Sequence, residues 1–335
     1  MSRGTVSIVC GLFLTLLLYG PPPLAAAPFY QGKVLTIVVG YGPGGGYDRV
    51  ARLLAKYLPK YIPGKPTVLV QNMPGADSMI AANYLYNLAK ADGLSIGTFN
   101  RGLVFANLLK AQGGRFDLAK FSWIGSAAVE SSVLVFHTGL GFKTIEDVAR
   151  TKTPIVIGGT GSADAINIIP IFLKEFLGYN FKFVTYPSSA DIMLAIERRE
   201  ADGRGASYSS VKSFIDRGLV VPLLRGRVVE AGIEKLPMDE DLVKSEREKT
   251  LMAMRSAPDK IGRPYVAPPG TPPAALGVLR DAYAKVIQDP ALQQDAKKQL
   301  MSLEYVPAGE VQKVLQYLFN QPPDMIKEFG RYVKF

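Results

Sequence analysis

The sequence of 335 residues holds one cysteine and one histidine. Cys10 sits inside an N-terminal apolar run, so a chain that loses that run has no thiol. It then forms no disulfide in any compartment, and a zinc site of the ordinary Cys/His type is excluded. His137 stands alone at the end of the apolar stretch Val133–Phe136, where a surface or packing role is the common fate. No Gly-x-Ser-x-Gly elbow and no P-loop are present. Ser209-Ser210-Val211-Lys212 has Ser-x-x-Lys spacing, but its companion motifs Ser-Asp-Asn and Lys-Thr-Gly are missing. These absences point away from catalysis and give no reason to expect a metal or cofactor.

Apolar runs long enough to span a bilayer, about 20 residues, are also lacking. Val6 to Leu18 is nearly continuous, with Arg3 before it, Pro21-Pro22-Pro23 breaking it, and Ala25-Ala26-Ala27 after it. Charge, a short apolar run and small residues form a secretory signal. Residues 1–27 are therefore expected to be removed on export, with the cut after Ala26 or Ala27. No twin-Arg pair precedes the run, so export of a folded, cofactor-loaded protein is not indicated. Lysine and arginine total 39 against 29 acids, a formal charge of +10, yet they form no long basic run. Nucleic-acid binding wants a basic stripe or motif. A dispersed basic surface instead favours solubility and anionic partners.

What is present is alternation. Short β-branched runs at 34–40, 67–70, 94–98, 121–126, 133–136, 155–157 and 181–185 read as strands. Between several of them lie amphipathic stretches such as 48–58, 79–90, 164–177 (with Pro170 inside as a candidate kink) and 190–199. Asp48, Asp77 or Ser78, and Asp191 are candidate helix caps. This pattern argues an α/β fold with largely parallel sheets flanked by helices. The unit of strand, Gly-rich loop and helix occurs near residue 44 and again near 160, about one domain length apart. Ala267-Pro268-Pro269-Gly270-Thr271-Pro272-Pro273 breaks the chain before a helical tail. Residues 28–125 with 256–335 are expected to form one lobe, and 126–255 the other.

Four loops leave strand ends rich in backbone or hydroxyl donors. Gly44, Gly45, Gly46, Tyr47 and Asp48 open a helix, where unpaired N–H groups suit a carboxylate or phosphate. A tight turn alone would use the same glycines. Asn72, Gly75 and Ala76 belong to the second loop, Thr160, Gly161 and Ser162 to the third, Tyr186, Ser188 and Ser189 to the fourth. Open α/β sheets bind ligands at this edge. Arg101 follows a strand end, and Arg204 lies in Gly203-Arg204-Gly205 with Ser207 close by. Either guanidinium is able to grip a carboxylate bidentately, though exposure is the commoner fate of arginine. Gly40-x-Gly42-x-x-Gly45 also matches a dinucleotide fingerprint, which leaves an NAD-dependent oxidoreductase as the rival. Pro43 within the motif, and Asn72 where an acid should close the next strand, count against it.

At these same loops the sequence resembles the substrate-binding receptors of tripartite tricarboxylate transporters, the Bug family. The similar stretches are Ile37-Val38-Val39 with Pro43 to Arg52, then Asn72 to Ala76, Ala91-Asp92-Gly93, Tyr186 to Asp202, and Ala267 to Pro273. The resemblance implies a periplasmic Venus-flytrap receptor that holds a small carboxylate between two lobes and hands it to membrane transporter subunits. A monomer suffices for such a clamp. Tyr47 stands where a small hydroxyl residue is common, Asp77-Ser78 where Gly-Gly is common, and Arg204 in a usually apolar segment.

Overall fold

The computed structural model describes Met1, residues 28–161 and residues 166–333. The expected export signal, with Cys10, and the candidate contact Ser162 lie outside the described residues. Two sheets organise the rest. The first holds β1 (Val34–Val39), β2 (Thr67–Asn72), β3 (Ser95–Thr98), β4 (Ser122–Ser126), β10 (Pro264–Ala267) and β11 (Val306–Pro307), in the order β11-β4-β10-β3-β1-β2. The second holds β5 (Ser132–His137), β6 (Ile155–Gly159), β7 (Phe181–Thr185), β8 (Gly203–Ser207) and β9 (Val220–Arg225), in the order β7-β6-β8-β5-β9.

The pairing is mixed. β1 pairs parallel with β2 and β3, and β6 with β7 and β8, while β10 inserts antiparallel between β3 and β4 and β5 runs antiparallel to β8 and β9. Strand direction nonetheless follows the expected parallel plan. β1 to β4 point one way in the first sheet, and β6 to β9 point one way in the second. The antiparallel strands β10 and β5 are the first strands after the chain crosses from one sheet to the other, and the short edge strand β11 also runs antiparallel to β4.

Each sheet is sandwiched by helices, and strand alternation shows why. Leu35, Ile37 and Val39 feed one apolar cluster while Val38 feeds the cluster on the opposite face. Val133 and Val135 likewise separate from Leu134 and Phe136. A period of two on a sheet covered on both faces requires apolar residues at successive positions, which is how these strands read. Burying one such side chain contributes about 1.5–3 kcal/mol. Pro170 does not kink its helix, which runs Ile168–Leu177. The proline falls in the first turn, where no intrahelical N–H bond is lost. This helix packs across the lobes: Phe172 lies 5.9 Å from Phe329 and 5.6 Å from Tyr332 by ring centroids.

Four strands lie outside the runs that the sequence marks as strands: β8, β9, β10 and β11. The first of these, Gly203-Arg204-Gly205-Ala206-Ser207, lacks a strand signal because glycine weakens strands. Its glycines serve close packing instead. A Cβ on Gly205 would lie 2.0 Å from the Ile166 carbonyl oxygen.

Candidate functional site

The C-terminal ends of β1, β3 and β8 and the segment before β10 converge on a narrow cavity of about 50 Å³. Of the expected residues, Gly45, Gly46, Tyr47, Arg101, Ser188, Ser189, Arg204 and Ser207 line it. Tyr41, Gly42, Ile166, Ser210 and Arg263 line it too and were not singled out from the sequence as contacts. Thr160, Gly75, Ala76 and Tyr186 line a more open neighbouring groove of about 380 Å³, which shares Tyr41 with the cavity.

Three helices begin at the cavity. Gly46–Tyr57 starts after Gly45 with no side-chain cap, Ser189–Glu197 after Ser188, and Tyr208–Asp216 after Ser207. Their first-turn N–H groups lack intrahelical partners and carry positive potential. Ser188 caps its own helix, accepting from the Asp191 N–H at 3.2 Å, so Asp191 is not the cap.

Gly44, Asp48 and Asn72 line neither space, and their hydrogen bonds show what they do. The Asp48 carboxylate is buried in the first turn and accepts from Gly44 N at 2.8 Å, Asn72 Nδ2 at 2.9 Å and Arg52 Nε at 2.9 Å. Burial pushes its pKa up, but the bonds from Arg52, Gly44 and Asn72 outweigh that and hold it below the usual aspartate value. Asp48 therefore braces the glycine loop from behind rather than capping from in front. Asn72 ends β2 where a dinucleotide fold would present a ribose-binding acid, and its amide also donates to the Tyr41 carbonyl.

The second loop is strained. Ala76, Asp77 and Ser78 have φ of +46°, +50° and +75°, a run that disfavours side chains. Ser78 does not cap its helix; its Oγ bonds the Gly40 carbonyl at 3.0 Å and the Asn100 N–H at 3.1 Å. Asp77 reaches the other lobe, its carboxylate lying 2.2 Å from where a Cβ on Gly161 would stand.

Arginine dominates the cavity walls, and these arginines are buried. Arg101 crosses between lobes: it pairs with Asp259 at 2.9 Å and donates to Ser207 Oγ at 3.1 Å and Ser132 Oγ at 3.0 Å. Asp259 also pairs with Arg255, which pairs in turn with Asp239 at 2.7 Å. Arg204 donates to the Ser189 carbonyl at 2.9 Å and Ser189 Oγ at 3.2 Å. Arg263 pairs with Glu130. Burial raises the Glu130 pKa, yet Arg263 and Arg101 together bring it below the ordinary glutamate value, so it is ionised. Tyr47 spans the site: its hydroxyl donates to the Gly262 carbonyl and accepts from the Arg101 N–H, both at 3.1 Å. Its ring stacks on Tyr41 at 4.8 Å.

No nucleophile–base pair emerges at the Ser-x-x-Lys match. Lys212 is held by Asp216 at 2.8 Å, and Ser209 donates to Glu130 at 3.1 Å. His137 lines neither space; its Nδ1 accepts from the Gly139 N–H. Among the described residues no group of three or more His, Cys, Asp or Glu is placed to hold a metal ion, and no helix is long and apolar enough to cross a membrane.

Two α/β lobes closing a donor-lined cavity at their strand ends define the class of two-lobed solute-binding proteins. The match to a family model sharpens this. Residues 50–331 match the tripartite tricarboxylate transporter family receptor model, and the chain belongs to that family. A UPF0065 protein of Cupriavidus necator is 22% identical over 317 residues, covering 92% of this chain and 91% of its own. The periplasmic binding protein BugD superposes with a TM-score of 0.74 at 20% identity, over 91% of this chain and 99% of its own. MatC from Rhodopseudomonas palustris with bound malate gives 0.69 at 15%, over 88% and 99%. A second R. palustris protein, with adipate, gives 0.72 at 18%, over 89% and 97%. The oxidoreductase alternative finds no support.

Proposed function

We propose that this chain is exported to the periplasm, loses residues up to Ala26 or Ala27, and acts there as a monomeric, non-catalytic receptor for a small carboxylate. It closes around the solute and delivers it to the membrane subunits of a tripartite transporter. The observation that carries this reading is the cavity itself. Three buried arginines and three helix N-termini line it, and an anion suits that arrangement of donors, even with Asp259 and Glu130 paired to two of the arginines. Malate and adipate in related folds favour a carboxylate over other anions. Gly45, Gly46, Ser188, Ser189, Arg101, Arg204 and Ser207 are the proposed contacts in the cavity. Gly75, Ala76, Thr160, Gly161 and Tyr186 would receive the far end of a longer solute. The proposed lobes are 28–125 with 256–335, and 126–255.

Native mass spectrometry of the purified protein, then titration with succinate, malate and adipate, tests this. One of these acids should bind at one per chain and reduce the radius of gyration in solution scattering by hinge closure. At about 1,000 times its dissociation constant it should add about 4 kcal/mol to the native state. A stoichiometric dinucleotide in the purified material would reverse the conclusion, and a radius unchanged at saturation would remove the clamp.

A further inference from the structure

Arg263 is 2% exposed and stands at the head of β10, directly after the second crossover between the sheets. Its Nε donates to Glu130 and its Nη2 to Ser209 Oγ at 3.0 Å. Its Nη1 is buried and has no hydrogen-bond partner. Leaving a donor of a charged group buried and unmatched is costly, so such a group calls for an acceptor. The guanidinium is close-packed where Gly46 and Ser210 meet it. A Cβ on Gly46 would lie 2.6 Å from Nη1 and 2.8 Å from Ser210 Oγ. All three residues line the same cavity. Gly46 begins one helix in the first lobe, and Ser210 lies in the first turn of the helix that follows β8 of the second sheet.

We propose that Arg263 is the residue that reads the ligand's charge: its Nη1 donates to one anionic oxygen of a ligand that enters the cavity it lines with Gly46 and Ser210. This rests on the receptor reading above and adds its principal charge contact. It also assigns Glu130 a role. Glu130 holds the guanidinium in place and partly cancels its charge, so it sets affinity without touching the ligand.

The two residues therefore have opposite effects, and that is the test. Succinate and sulfate are titrated calorimetrically into wild type, Glu130→Gln, and the double variant E130Q/R263Q, whose neutral pair leaves no buried charge unmatched. Glu130→Gln should bind tighter than wild type by several-fold. The double variant should bind roughly 10- to 100-fold weaker, the range for a hydrogen bond to a charged group. Equal weakening in both variants would mean a purely structural pair and overturn the proposal, as would wild-type affinity in the double variant. If E130Q/R263Q does not fold, Arg263→Lys replaces it. Lysine keeps a charge facing Glu130 but not the fork, and an affinity equal to wild type would again overturn the proposal. Wild type that takes sulfate but no carboxylate sinks the carboxylate reading alone, and the variants are then compared with sulfate. Wild type that takes neither removes both.

Discussion

Adjacent glycines at the cavity mouth differ in what they tolerate. Gly46 is pressed against Arg263 and Ser210, whereas a Cβ on Gly45 meets nothing within 4 Å. Gly45 has φ of −75°, open to any residue. Gly46→Ala should therefore push Arg263 or the Ser210 helix aside and cost about 1–3 kcal/mol, as overpacking does. Much of that cost should appear as lost succinate affinity. Gly45→Ala should fold and bind nearly as wild type. Calorimetry on the two alanine variants decides it, and equal affinities would show that the Gly46 contact does not matter to binding. From sequence the two glycines were indistinguishable, because the difference lies in residues 164 and 217 positions away along the chain.

The glycine loop and the helix it opens stand or fall as one element. Asp48 holds them by accepting from Gly44, Asn72 and Arg52. Asp48→Ala leaves those donors unmatched and should lower stability by about 1–3 kcal/mol. The pH dependence follows from the direction of the shift. A carboxyl held below its ordinary value of about 3.9 contributes stability above that pH and loses it as pH falls through its folded pKa. Wild type should lose stability more steeply than Asp48→Ala below pH 4, measured by urea denaturation. Parallel acid curves would mean the carboxylate is not the brace. The sequence points to this loop and to Asp48, but with Asp48 as a ligand contact or a cap. A residue three places into a helix serves equally well for either, and only the backbone path of Gly44 shows which.

Across the whole molecule, a chain of buried ion pairs runs from the cavity through Arg101, Asp259, Arg255 and Asp239. Burial, opposed by Arg255 and reinforced by Glu240 and Asp259, pushes the Asp239 carboxyl up to about 6. A raised folded pKa gives stability that is full below the unfolded value and lost as pH rises through 6. Glu230, raised first by burial and then by Glu130, adds the same sign. Stability should accordingly fall between pH 4 and pH 7, by up to about 3 kcal/mol from Asp239. Asp239→Asn should show a shallower decline in urea titrations across that range. A slope identical to wild type would place Asp239 outside the pH response.

The sequence by itself determined local matters: the runs that form β1 to β7, the apolar faces of helices such as Gly46–Tyr57, and the glycine-rich turn that opens that helix. Those depend on neighbours within a few residues. Tertiary structure alone decided that Gly203 to Ser207 is a strand, because its glycines answer to the distant Ile166 carbonyl. It also decided that Arg263 joins Gly46 and Ser210, since no local pattern marks an arginine beside a proline as part of a site. That meeting requires the chain to cross between the sheets twice, and packing of the two lobes brings the three residues together.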